Sequence, residues 1–102
     1  MNALNSILIE GSVVANPEKR ETPRGTTVCD FKIAYSRFYR QDETTEEEKS
    51  IFEIESWAKL AESCAKHCTE GCGVRVIGRI KQCEDGKVKI IAEQVEFKPQ
   101  IK

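Results

Sequence analysis

Two groups of residues in this chain have chemistry to offer. The first is Cys64-Ala65-Lys66-His67-Cys68, with Cys72 beyond it. Thiolate and imidazole are metal ligands and nucleophiles. Zinc takes four N or S ligands in a tetrahedron, and the usual Cys-x2-Cys pair is absent here. Cys64 and Cys68 are one helical turn apart on an apolar stripe, where reduced cysteine acts as a small hydrophobe. A nucleophilic Cys–His pair needs a third group to orient the base, and the sequence offers none. Core packing is therefore the expected role, with a small metal- or thiol-dependent enzyme as the rival class. The second group is aromatic and cationic. Arg37 and Arg40 bracket Phe38 and Tyr39, Trp57 is the only tryptophan, and Arg75, Arg79 and Lys81 repeat on one strand face. Flat rings stack nucleobases, and cations follow the phosphates. The plainer alternatives are a tryptophan that caps a core or an interface, and a solvated basic face. Interleaving of rings and cations favours binding. No set of parts for bond-breaking chemistry accompanies them, so a non-enzymatic protein without cofactor or metal is expected.

The elements that position these residues follow from periodicity. Residues 7–13 read as a first strand in which Gly11 marks a bulge or bend. Asn16-Pro17 and Pro23-Arg24-Gly25 punctuate a loop. Residues 26–35 alternate, with Cys29, Phe31, Ile33 and Tyr35 on one face. That places Tyr35 either in the core or at the edge of a binding face. Residues 41–50 carry Asp42, Glu43, Glu46, Glu47 and Glu48 without an apolar period, and are expected to form a flexible acidic loop. Residues 51–57 form a third strand, with Phe52 and Ile54 inward and Ile51, Glu53, Glu55 and Trp57 on the polar, accessible face. Residues 59–69 form a helix whose stripe is Leu60, Ala61, Cys64, Ala65 and Cys68, with Gly71 as its C′ stop. Residues 74–82 and 88–97 are the last two strands, joined at Glu84-Asp85-Gly86-Lys87 by a turn suited to type I′. Five strands with one helix between the third and fourth is the order of an all-β OB-fold, a five-stranded Greek-key barrel that binds oligonucleotides or sugars.

Length and charge bound the rest. The 102 residues make one domain spanning 1–102. Small domains are marginal alone, so a homo-oligomer is expected. No apolar run reaches membrane length, and the start, Met1-Asn2-Ala3-Leu4-Asn5-Ser6, lacks the features of a secretory signal. The expected location is the cytoplasm, in association with the nucleoid, where five cysteines stay reduced. A net charge of -1 does not announce a nucleic-acid binder. A local basic groove remains compatible with it.

The residues also carry a resemblance. Asn5-Ser6-Ile7-Leu8-Ile9-Glu10-Gly11, Asn16-Pro17-Glu18-Lys19-Arg20, Pro23-Arg24-Gly25 and Phe31-Lys32-Ile33-Ala34 resemble the first half of bacterial single-stranded-DNA-binding proteins. Trp57-Ala58-Lys59-Leu60-Ala61-Glu62 resembles that family's strand-to-helix junction, and residues 73–81 its fourth strand. The order and spacing cover nearly the whole chain. The resemblance implies an OB-fold, a homotetramer in preference to a dimer, and binding of single-stranded DNA in replication, repair and recombination. It maps stacking aromatics onto Tyr39 and Trp57, and basic contacts onto Arg20, Lys59 and Lys81. Ile51 stands where the family has an aromatic residue, and Cys83 or Glu84 where it often has a tryptophan. The sequence ends at Gln100-Ile101-Lys102 without an acidic-tipped tail, so tail-mediated protein recruitment is not expected. A short bacterial primosomal replication protein of the OB-fold type is the near relative, and implies an alternative that acts mainly through protein partners.

Overall fold

A computed structural model describes residues 2–98. The chain end at residues 100–102, on which the expectation about a tail rests, lies outside the described residues. The elements are β1 (Ile7–Val13), β2 (Glu18–Glu21), β3 (Thr27–Gln41), β4 (Thr44–Trp57), α1 (Ala58–His67), β5 (Gly73–Gln82) and β6 (Val88–Lys98). They form one sheet ordered β1-β5-β6-β4-β3-β2, closed by pairing of β1 with β3. Closure makes the expected five-stranded barrel from β1, β3, β4, β5 and β6. The parallel β4–β6 contact is short, at Ile54↔Ile90 and Glu55↔Ile91. The short β2 is an addition that lies along the first half of β3.

Alternation builds the core as the sequence implies. Cys29, Phe31 and Ile33 of β3 point inward to meet Ile54, Val74, Val76, Ile90 and Ala92. Gly11 sits where β1 leaves β5 for β3, and a Cβ there would lie 2.5 Å from the Ala34 carbonyl oxygen. The helix closes one end of the barrel with Ala61, Cys64 and Cys68, all fully buried. The other end is an apolar mouth of about 340 Å³ lined by residues such as Ile7, Tyr35, Phe52 and Ile80.

Three expectations are corrected. Residues 41–50 are not a loop: β4 begins at Thr44 and pairs with β3 from Gln41↔Thr44 to Val28↔Trp57. The turn is Asp42-Glu43, both with positive φ (49° and 67°), the backbone of a two-residue type I′ hairpin. The Asp85-Gly86 turn is the other kind. Only Gly86 has positive φ there, and Gly86 N–H donates to the Cys83 carbonyl, so a type I turn is followed by a left-handed glycine. Finally, α1 ends at a Cys68 cap, and Gly71 serves a separate turn in which Cys72 N–H donates to the Thr69 carbonyl.

Candidate nucleic-acid interface

Trp57 ends β4 and is the N-cap residue of α1. The next residue, Ala58, has φ 56°, a left-handed conformation that costs an L-residue about 1–2 kcal/mol. This tight turn lets the chain enter the helix immediately after the strand. Before it, Ser56 points inward and its hydroxyl donates to the Cys29 carbonyl at 3.1 Å. Trp57 points outward and is 42% exposed.

Registers assemble a set of neighbours around the ring. Arg20 on β2 stands opposite Val28 on β3, which stands opposite Trp57. One step along, Glu55 pairs with Ile91 on β6, which pairs with Arg79 on β5. Lys81 then pairs with Lys89. Strands lie about 4.8 Å apart and rise about 3.4 Å per residue, so Arg79, two spacings across from Glu55, lies roughly 12 Å from Trp57 between backbones, a gap that the two long side chains narrow to the reach of one nucleotide. A cleft of about 450 Å³ lies between them, with Leu60 and Glu93 on its rim. Lys59 is exposed on the first turn of the helix, two residues after Trp57.

Glu55 lies beneath this surface. Its strand-mates Glu53 and Trp57 are exposed, yet Glu55 is only 3% exposed. Its Oε2 accepts the Trp57 indole N–H at 2.7 Å. Its Oε1 accepts from Lys89 Nζ at 2.5 Å and from Arg20 Nη2 at 3.2 Å. Arg20 Nε also donates to Asp30 at 2.7 Å. Burial alone would raise the carboxyl's affinity for a proton. Hydrogen bonds from Lys89 and Trp57, then the charges of Lys89 and Arg20, outweigh it and hold Glu55 below its ordinary value of 4.5. A depressed folded-state value means stability that is present above the ordinary value and lost as pH falls through the lower one. Thermal melts between pH 7 and 3 are therefore expected to show a midpoint that declines once pH drops below 4.5, less so in Glu55→Gln.

The remaining sequence candidates separate. Phe38 is 67% exposed and shares the outward face with Arg40, Trp57 and the 58%-exposed Ile51. Arg37 and Tyr39 point to the opposite face of the same hairpin, where Arg37 stands opposite Glu48 and Tyr39 opposite Glu46. Tyr39 and Trp57 thus do not share one platform. The strand distance from Val28 to Tyr39 is also about 36 Å. Tyr35, half-buried, lines the barrel mouth with Phe52. Arg75 is tied to Glu10 at 2.7 Å and Glu96 at 3.3 Å, and Lys98 joins at Glu10. Two residues of the cleft region were missed by sequence reasoning. Lys89 had a signal, a lone cation in the apolar strand Val88-Lys89-Ile90-Ile91. Glu55 had none, because alternation put it outside.

A model of the single-strand binding protein family matches residues 4–98. The chain belongs to this family. Among its relatives, the single-stranded DNA-binding protein of Aquifex aeolicus is 35% identical over 92% of this chain and 69% of its own length. That of Corynebacterium glutamicum is 38% identical over 76% of this chain and 36% of its own. This family member thus spans just over two thirds of one relative and little more than a third of the other. A crystal structure of a deletion mutant of the single-stranded DNA binding protein from Thermus aquaticus superposes with a TM-score of 0.84. At 24% identity, over 94% of this chain and 51% of that one, it shows the OB-fold barrel.

The thiols fall outside the cleft. Cys64 and Cys68 pack in the core, and His67 instead meets the Phe97 ring at a centroid distance of 5.3 Å. Burial pushes the Cys29 thiol up to about 11, and hydrogen bonding with Cys64 followed by burial raises Cys68. Such thiols are poor nucleophiles at neutral pH. No described helix is long and apolar enough to cross a membrane.

Proposed function

We propose that this family member binds single-stranded DNA with little sequence preference and without catalysing a reaction, in replication, repair and recombination. Trp57 stacks a base, Arg79 and Lys81 hold phosphates beside it, and Lys59 extends the basic edge. Phe38 and Arg40 continue the path along the outward face of the hairpin, with Arg37, Tyr39 and Tyr35 on its other side. The bacterial cytoplasm is the proposed location and a homo-oligomer, a tetramer by preference, the working form. The observation that carries the reading is the half-exposed Trp57 ring facing Arg79 and Lys81 across one open cleft. The names of the relatives, single-stranded DNA-binding proteins, support it.

Titration with oligo(dT) at low and high salt, with mass measurement of free and bound species, tests it. Trp57 emission is expected to quench as DNA is added and to recover as salt rises, since released counterions drive phosphate binding. The masses give the subunit number and the strand length occupied. Unchanged emission at low salt, with no shift in mass, overturns the proposal.

A further inference from the structure

A buried carboxylate at the centre of a surface meant for a polyanion demands a physical reason. Taking a carboxylate out of water costs several kcal/mol unless it is paired and hydrogen-bonded, and it repels the phosphates that the surface would hold. Well-packed apolar side chains usually fill such a position at no loss of stability. Here Glu55 is the only buried charged residue among those described, and it is completely engaged. One oxygen takes the indole N–H of Trp57; the other takes a cation from β2 and a cation from β6.

We propose that Glu55 is a positioning residue and the internal counter-ion of the interface: it fixes the edge of the Trp57 ring and, with Asp30 on Arg20, neutralises Arg20 and Lys89. The inference rests on the reading of this surface as a single-stranded DNA interface. Its consequence is a division of the groove. Lys89, spent on Glu55, and Arg20, shared between Glu55 and Asp30, form its floor. Arg79 and Lys81, which make no ion pair recorded among the described residues, take the phosphates at its rim. The carboxylate beneath the ring turns phosphates away from the floor, so bases point toward Trp57 and the backbone runs toward β5. Strand placement is thereby set by one negative charge as much as by the positive ones.

The test is a salt series of binding titrations with labelled oligo(dT) on the full chain, comparing wild type, Lys89→Gln, Glu55→Gln and the double variant. Each phosphate contact on a single strand adds about 0.7 to the slope of log affinity against log salt. Lys89→Gln alone is expected to leave the slope unchanged, because its charge is already neutralised. Glu55→Gln frees Lys89, while Arg20 keeps its pair with Asp30, and is expected to steepen the slope by about 0.7 while tightening binding at low salt. Adding Lys89→Gln to it should return that change of about 0.7 and restore the wild-type slope. A slope unaltered by Glu55→Gln in a folded protein, or one flattened by Lys89→Gln alone, overturns the proposal. The latter arm still decides if Glu55→Gln fails to fold. A structural role alone would change melting and not the salt slope. Trp57 emission in the DNA-free protein checks the other half: Glu55→Leu, which accepts no hydrogen bond, should shift it and raise its quenching by acrylamide. If wild type binds no DNA, the functional reading falls by that result alone, and unchanged emission in Glu55→Leu separately overturns the positioning role.

Discussion

Replacing Trp57 by alanine is expected to weaken oligo(dT) binding roughly 5- to 150-fold, the equivalent of about 1–3 kcal/mol for one lost base stack. The ring is the only aromatic side chain lining the cleft that holds Arg79 and Lys81, so no neighbour substitutes for it there. Two effects of the change point the same way. The π-face disappears, and so does the cover over Glu55, whose Oε2 loses its indole donor and opens to water. A better-hydrated carboxylate at the groove floor repels phosphate from closer range. Trp57→Phe separates the two, because it keeps a stacking face and loses only the N–H. It is expected to fall between wild type and Trp57→Ala. Anisotropy of a labelled oligonucleotide reads all three proteins, since the variants lack the intrinsic fluorophore. Binding of Trp57→Ala within twofold of wild type, with melting unchanged, would move the stacking site to the hairpin, where Phe38 and Ile51 lie exposed.

Local pattern carried the fold further than it carried the site. Inward residues of β3 and β4 announced themselves by alternation, and the helix by its stripe of Leu60, Ala61, Cys64 and Cys68. The extension of β4 did not. Thr45 to Lys49 offer no apolar residue to a core, and their strand exists because each pairs with a residue of β3. Arg37 opposite Glu48 is an opposite-charge pair of the kind that stabilises such ribbons modestly. The turn that starts it lacks glycine, so the strongest hairpin signal was absent. β2 was equally silent: Glu18–Glu21 is polar throughout and borrows its conformation from β3. The fate of Glu55 depended on partners 35 residues before it and 34 after it. Period-two reasoning fixes which face a side chain takes, and says nothing of what long side chains then fold over it. The same limit applies to Tyr39, whose proximity to two arginines in sequence became a position on the opposite face from Trp57.

The position of Arg79 depends on the residue before it, and Gly78→Ala is expected to cost about 3 kcal/mol or more, against the 5–15 kcal/mol typical of a whole domain. A Cβ at Gly78 would lie 2.1 Å from the Ile91 carbonyl oxygen, 3.0 Å from its carbon and 3.1 Å from the Ala92 Cα. All three are backbone atoms, so no rotamer change relieves the clash, and β6 itself must move. The approach is this close because the β5–β6 register shifts between Ile77 and Gly78, leaving Glu93 as an extra residue in β6. β6 cannot move alone, for Ile91 is also the partner of Glu55 in the short parallel contact that joins the two halves of the barrel. Urea unfolding should therefore show a much lower midpoint, and at temperatures where the variant remains folded, DNA binding should weaken with it. Gly73→Ala on the same strand is the control. Its Cβ would meet only Lys98 Cβ at 3.5 Å, an ordinary contact, so its change should stay within about 1 kcal/mol. Equal losses for the two variants would mean that the register shift yields to a methyl group, and that the bulge does not fix the spacing between Arg79 and the Trp57 ring.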